Sequence, residues 1–200
     1  MLDSRIPRLN VLMTLALKAR VIPYANLAVL PGAAKFSFRG CSSAVAIASN
    51  AFGLKLPQAA CRFTTKGARS ALWLGPDEWL LQAVGEASAE LFARIDGALA
   101  GHPCALVDIS HRSVGFSLSG AKTEYVLNHG CPLDLSKVRF PIGMCTRTVS
   151  ARRPSCLRGW RPPCFTSTSG VPLLPMCGNC WTKPVVSLRH SAGSIGSSSA

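Results

Sequence analysis

Acidic residues are scarce in this chain. Its 200 residues hold nine Asp and Glu against 22 Lys and Arg, a formal net charge of +13. Residues 151–200 contain six Lys and Arg and no acid at all, so that segment cannot supply the carboxylates of acid–base chemistry. Residues 1–150 carry the other 16 basic residues with all nine acids, a net of +7. Taken alone the charge points to nucleic acid or another anionic partner. Long apolar runs are also missing. "VLMTLAL" (Val11 to Leu17) is far short of the ~20 apolar residues that cross a bilayer. It follows Asp3 and precedes Lys18 and Arg20 rather than a small-residue cleavage site, so no secretory signal is expected. The expectation is a cytoplasmic chain with reduced thiols and no membrane partner. Paired carboxylates, a Gly-rich nucleotide fingerprint and a complete nucleophile–base set are absent as well.

What is present suits a globular protein, one compact domain or two small ones, with 48% hydrophobic and 7% aromatic residues. "KFSFRG" (Lys35 to Gly40) alternates like a half-buried strand. "SSAVAIASNAFG" predicts a helix with Gly53 as its stop. "SALWLGPDEWLLQAV" predicts a hairpin turning at Gly75-Pro76-Asp77, which is a turn and not a phosphate loop. "ASAELFARIDGALAG" places Leu91, Phe92, Ile95 and Leu99 on one helical face, ending at Gly101. "CALVDISHRSVGFSLSG" predicts one further strand run with a bulge at Gly115. "AKTEYVLNHG" predicts another helix.

These pieces repeat. Phe36 to Gly40, a helix, then "FGLKL" (Phe52 to Leu56) is echoed by Phe116 to Gly120, a helix, then "HGCPLDL" (His129 to Leu135). Each unit then reaches a similar strand, "CRFTTKG" from Cys61 and "CTRTV" from Cys145. The repeat forecasts a hairpin and a closing amphipathic helix after Val149. The written residues from Ser150 onward are instead rich in Pro, Arg, Cys, Ser and Gly. Proline at 154, 162, 163, 172, 175 and 184 argues against a helix or a central strand over most of the span. Cys145–Val149 is therefore expected to end the second unit as an unpaired strand. The genetic code offers a cause. Joining the last base of each codon to the first two of the next forces Val at Met176–Cys177, then Leu-Leu-Asp through Trp181–Thr182. From Phe165 the same frame permits a strand and an acid-containing amphipathic helix. Residues 150–200 are read as an irregular tail, out of frame from a break near residues 149–151.

Several constellations look like sites. Cys177 and Cys180 form a C-x-x-C, with Cys156 and Cys164 upstream. Seven residues separate that upstream pair, too many for a zinc knuckle. As a redox pair the motif lacks a preceding strand and a following helix. It is read as a composition accident. Asp108, Ser110 and His111 suggest a hydrolase triad, but on a strand the first two point to one face and His111 to the other. Trp73 and Trp79 flank the hairpin turn and are read as core or subunit-contact residues rather than a base-stacking platform. His129-Gly130-Cys131 is read as a helix terminus rather than a ligand set. No catalytic, cofactor-binding or metal residue is assigned.

Residues 36–149 resemble the gamma subunit of heterotetrameric sarcosine oxidase. The resemblance rests on "FGLKLP" (Phe52 to Pro57), "ALWLGPDEWLL" (Ala71 to Leu81), "VDISHRSVGFSLSGAKTEYVLNHGCPLDL" (Val107 to Leu135) and "FPIGMCTRTV" (Phe140 to Val149). Residues 1–35 fit loosely, and the shifted-frame "VWRSFAAYVWELL" looks like the family's C-terminal helix. More distantly, "DISHRSVGFSLSG" is similar to the D-x-S-H strand of aminomethyltransferases. The resemblance implies an α+β fold like their folate-binding domain, with two strand–helix–hairpin units, the second incomplete as written. It also implies a non-catalytic subunit of a complex that oxidises sarcosine to glycine, forms hydrogen peroxide and delivers a one-carbon unit to tetrahydrofolate. In that complex alpha, beta and small delta subunits are partners, and FAD, covalent FMN, NAD and zinc lie on the other chains. Two other classes stand beside this one: a free-standing folate-binding or aminomethyltransferase-like protein, and a basic zinc- or nucleic-acid-binding protein.

Overall fold

A computed structural model of the chain describes residues 25–150, 153–160 and 164–170. They build two five-stranded antiparallel sheets. The first has the order β3-β4-β5-β2-β6, from β2 (Ala33–Gly40), β3 (Phe63–Lys66), β4 (Arg69–Gly75), β5 (Glu78–Val84) and β6 (Cys104–Asp108). The second has the order β1-β7-β10-β9-β8, from β1 (Asn26–Val29), β7 (Ser113–Ser119), β8 (Cys145–Ser150), β9 (Arg153–Trp160) and β10 (Cys164–Gly170).

The repeat seen in the sequence is a repeat of topology. β2, β3, β4 and β5 occupy the places that β7, β8, β9 and β10 occupy in the other sheet, and α1 (Ser42–Phe52) corresponds to α3 (Thr123–Asn128). The outermost strands are exchanged. β1 runs into β2 but pairs with β7, while β6 runs towards β7 but pairs with β2. Each unit therefore lends its leading strand to the other.

This exchange corrects the single strand run expected over Cys104–Gly120. The chain leaves β6 at Asp108, whose Oδ1 accepts hydrogen bonds from Ser110 N–H (2.8 Å) and Ser110 Oγ–H (2.5 Å). Arg112 N–H then donates to Ile109 O at 3.0 Å, and the chain enters the other sheet as β7. The expected bulge at Gly115 is absent, since the β7–β10 register runs unbroken through Gly115↔Thr168. Glycine is needed there for proximity. A Cβ would lie 3.0 Å from Leu30 Cδ1.

α1 and α2 (Ser88–Leu99) cover the outer face of the first sheet. Phe36, Phe38, Trp79 and Leu81 on the strands pack with Phe52, Leu91 and Ile95 on the helices, as the 2- and 3.6-residue periods require. α3 and the segment behind it cover the outer face of the second sheet through Val126, Leu127, Leu135 and Phe140, against Phe116, Leu118 and Leu157. Between the sheets, Leu72 and Leu80 meet Cys145 and Cys156. The edges β3 and β8 are joined by an Arg62↔Met144 bridge and by Cys145 N–H to Cys61 O at 2.9 Å.

The expectation of irregular structure from residue 150 onward is overturned over 153–160 and 164–170. Cys145–Val149 is not an unpaired strand: β8 pairs with β9 from Cys145↔Arg158 to Ser150↔Arg153. Pro154 is tolerated because the β9–β10 ladder begins only at Ser155↔Ser169, so among the described residues the strand is paired at Pro154 on the β8 side alone, as an edge strand is. Beyond it the chain alternates, with Leu157 towards the α3 side and Cys156 towards the first sheet. Gly159 leaves room for Phe140, which a Cβ would approach to 3.3 Å. The prolines at 162, 163, 172, 175 and 184, the Cys177–Cys180 pair and the forecast closing helix lie outside the described residues.

One polar clamp ties α1 to the first hairpin. Arg69 grips Glu86 through Nε and Nη2, both at 2.6 Å, donates Nη1–H to Phe52 O at 2.5 Å, and lies 5.6 Å above the Phe52 ring. It thus satisfies a carbonyl at the end of α1, where Gly53 takes φ +71°. Arg69→Met should cost about 1–3 kcal/mol, as for loss of charged hydrogen bonds, read as a lower urea midpoint. The Arg69 hydrogen bond holds the Glu86 carboxyl below its usual pKa. The clamp's contribution is therefore present above the unfolded carboxylate value and is lost as pH falls through the folded one. The difference between wild type and Arg69→Met should shrink over that acid range. An unchanged difference at every pH would contradict this account.

Candidate functional site

The sheets face each other with an unusual share of polar groups. Because Phe36, Ala71, Trp79, Leu81 and Ala83 point to the helices, alternation turns Lys35, Ser70, Leu72, Leu80, Gln82 and Val84 towards the second sheet. A sheet covered on both faces has no solvated side, so these polar residues must find partners inside.

Lys35 is only 6% exposed. Its Nζ donates to Ser113 O at 2.6 Å, with Ser113 Oγ at 3.5 Å. Burial pushes its pKa below the usual lysine value. Ser70 is buried too. Its Oγ donates to Gln82 Oε1 at 3.3 Å and accepts from Arg158 Nη1 at 3.1 Å. Arg158 lies 5.8 Å over the Phe63 ring. Glu78 forms an ion pair with Arg147 across the same interface. Around Lys35, Gln82 and Arg158 the sheets leave a cavity of about 150 Å³, with Leu30, Leu72 and Val84 among its walls.

The residues singled out in the sequence are placed as follows. Asp108 and Ser110 do meet, but Asp108 is the last residue of β6 and Ser110 lies in the turn after it. Ser110 Oγ is taken up by Asp108 and by the Lys35 N–H at 3.0 Å, and His111 is exposed. Burial pushes the Asp108 carboxyl up, the Ser110 hydrogen bonds outweigh it, and the net pKa lies below the usual value. Asp108 and Ser110 thus hold the chain crossing from β6 to β7. Trp73 and Trp79 pair across the β4–β5 hairpin on its helix side. Gly75-Pro76-Asp77 makes the turn, where Asp77 pairs with Arg39 at 3.0 Å. His129 caps α3 and its Nδ1 lies 2.9 Å from Tyr125 O. Cys156 sits between the sheets, where burial pushes its thiol to about 12. Cys145 beside it is likewise pushed to about 12 by burial and the neighbouring thiols. Both stay protonated at neutral pH, which suits packing better than thiolate chemistry.

Sequence reasoning missed Lys35, Ser70, Gln82 and Arg158. The first three occupy the polar positions of strands that were recognised. Nothing local says that a second sheet, and not water, covers that face. Arg158 lay in the stretch discounted for its proline and arginine content.

Comparison with known proteins matches residues 39–160 to the family described as "Sarcosine oxidase, gamma subunit family". The sarcosine oxidase subunit gamma of Corynebacterium sp. (strain P-1) is 38% identical over 90 residues, covering 45% of this chain and 42% of that one. The subunit of the same name from Arthrobacter sp. is 36% identical with the same coverage. The chain thus spans less than half the length of these curated relatives in the matched region. Among solved structures, one described as heterotetrameric sarcosine oxidase from Corynebacterium sp. U-96 in complex with pyrrole 2-carboxylate superposes with a TM-score of 0.79. The identity is 21%, over 94% of this chain and 95% of that one. The glycine cleavage system aminomethyltransferase T of Bartonella henselae gives a TM-score of 0.59 at 14% identity, over 84% of this chain and 47% of that one. Both structural likenesses concern the fold.

Proposed function

We propose, from the premise that this chain belongs to the sarcosine oxidase gamma subunit family, that it is a non-catalytic subunit of a sarcosine-oxidising complex. The observation that carries the reading is the family match over residues 39–160, which spans strands of both sheets and the helices between them. In this reading alpha, beta and delta subunits are the partners, and FAD, FMN, NAD and zinc reside on them. The inter-sheet cavity supports that division of labour. At about 150 Å³ it falls below the ~300–1,000 Å³ usual for drug-sized ligands, so it does not fit a flavin or a folate. A partner would cover exposed apolar side chains such as Val107 on the edge strand β6, and Val138 and Ile142 before β8.

The out-of-frame reading of the tail is retained with a changed position. A family match that runs through Trp160 favours a break downstream of that residue over one at 149–151. Coding DNA over codons 145–180 tests this directly.

Co-expression with the larger subunits tests the main reading. The chain should elute with them on size-exclusion chromatography, and the complex should form peroxide from sarcosine while the purified chain alone forms none. Peroxide from the isolated chain, or a chain that elutes alone beside an active complex, would overturn it.

A further inference from the structure

We propose that the loop over residues 134–143 is a docking element, its apolar tips Val138 and Ile142 seated in a carboxylate-rimmed apolar recess on a larger subunit. The inference rests on the subunit reading above and adds which surface meets the partner and what the partner presents there. Val138 is 86% exposed and Ile142 58% exposed. Both stand on a tightly bonded loop. Ser136 N–H donates to Asp134 Oδ1 at 2.9 Å, and Ser136 O accepts from Arg139 N–H at 3.0 Å and from Phe140 N–H at 2.8 Å. Leu135 and Phe140 anchor the loop in the core beside Val126 and Leu127 of α3. Behind them Gly143 N–H donates to Gly159 O and Met144 N–H to Pro141 O, both at 3.1 Å. Gly143 takes φ +85°, which favours glycine. A loop already fixed in one shape loses little conformational entropy on association. Apolar side chains held out in water gain from being covered.

Charge selects the occupant. Lys137 and Arg139 flank Val138 and are exposed, as is Arg62, whose bridge partner is Met144. Against them the loop holds one acid, Asp134. A second copy of this chain, docked symmetrically on the same loop, would set these cations against each other. The parts of this chain outside the described residues do not complement the loop either. Residues 151–200 hold no acid, and residues 1–24 hold Asp3 against Arg5, Arg8, Lys18 and Arg20. The complementary surface is therefore that of another protein, with Asp or Glu around the recess. Aliphatic tips between the cations suit such a recess better than nucleic acid, whose bases stack on aromatic rings.

Competition for assembly tests this. Wild-type and variant chains, full-length and expressed in equal amount with the larger subunits, are recovered through a tag on a larger subunit and quantified by mass spectrometry. Wild type should exceed Val138→Asp by at least about tenfold, the ratio that 1.4 kcal/mol produces. It should exceed the double variant of Lys137→Glu with Arg139→Glu by a similar factor. Val138→Leu, which keeps an apolar tip, should enter as often as wild type. So should Arg112→Glu, a charge reversal beyond β6, at the edge of the first sheet opposite β3. In the wild-type complex, carbodiimide coupling, which joins an amine to a carboxylate, should link Lys137 to Asp or Glu of a larger subunit. Equal entry of wild type and Val138→Asp, exclusion of Arg112→Glu, or no Lys137 link to a larger subunit overturns the docking element while the wild-type chain still co-elutes. A wild-type chain that does not co-elute overturns the subunit reading and this inference with it. Retention of duplex DNA by the isolated chain, lost in the double variant, would assign the loop to nucleic acid instead.

Discussion

Trp79→Ala should lower the stability of the chain by about 3–5 kcal/mol, the largest effect of any single substitution in the first sheet. Trp79 is 2% exposed. It lies on β5 opposite Trp73, with its ring centroid 5.8 Å from that of Phe38 in a tilted arrangement. Its Nε1–H donates to Pro57 O at 2.7 Å, which pins the segment after α1 to the sheet. Truncation would open a cavity beneath α1 and leave the Pro57 carbonyl without that donor. The second loss alone costs about 1–3 kcal/mol when the group stays buried. Against a whole-domain stability of ~5–15 kcal/mol, the two together bring the chain close to unfolding. Trp79→Phe keeps most of the volume and should lose only the hydrogen bond. Urea unfolding followed by circular dichroism separates the cases. A loss below about 1 kcal/mol for Trp79→Ala would mean the ring is not the keystone of this core.

The elements that sequence reading found correctly are those whose signals are local. α1 ends at Gly53 because a left-handed residue is required there. The β4–β5 hairpin turns at Pro76-Asp77 with an apolar run on either side. Leu91, Ile95 and Leu99 mark the buried stripe of α2. The misses have one physical character: each was decided by a partner distant in sequence. Cys104–Ser119 reads as two strand-like runs around the four polar residues Ser110, His111, Arg112 and Ser113, and nothing in its pattern says that β6 and β7 join different sheets. The clue was Asp108-x-Ser110, which reads equally as strand or as a turn built on the Asp carboxylate. Lys35 and Gln82 sit at polar strand positions, and only the second sheet makes those positions interior. Arg153–Trp160 was discounted on composition, yet its register is set by β8 and β10. The candidate cleft was illegible for the same reason, since its lining joins residues from Leu30 to Arg158.

That dependence gives the second large effect. A chain ending after Ser150 should fail to form the second sheet, although it keeps most of the residues of that unit. In the order β1-β7-β10-β9-β8 the two missing strands are central. Without them β7 pairs only with β1, and β8 keeps only its edge contact near Arg62↔Met144. Leu157 would be gone from the α3 core and Cys156 from the inter-sheet core. Phe116 and Leu118 would keep α3 and the segment behind it as cover but lose Leu157 and the neighbouring strand, forfeiting part of the about 1.5–3 kcal/mol that full burial of each contributes. A two-stranded remnant is marginal in water and its free edges invite misassociation. The shortened chain should therefore aggregate on size-exclusion chromatography and melt without a cooperative transition. A chain ending after Gly170 retains β9 and β10, so the difference between the two isolates their contribution. If the chain ending at Ser150 melted within about 2 °C of the full chain, a difference below about 1 kcal/mol at this length, the strands after Ser150 would contribute nothing to the fold.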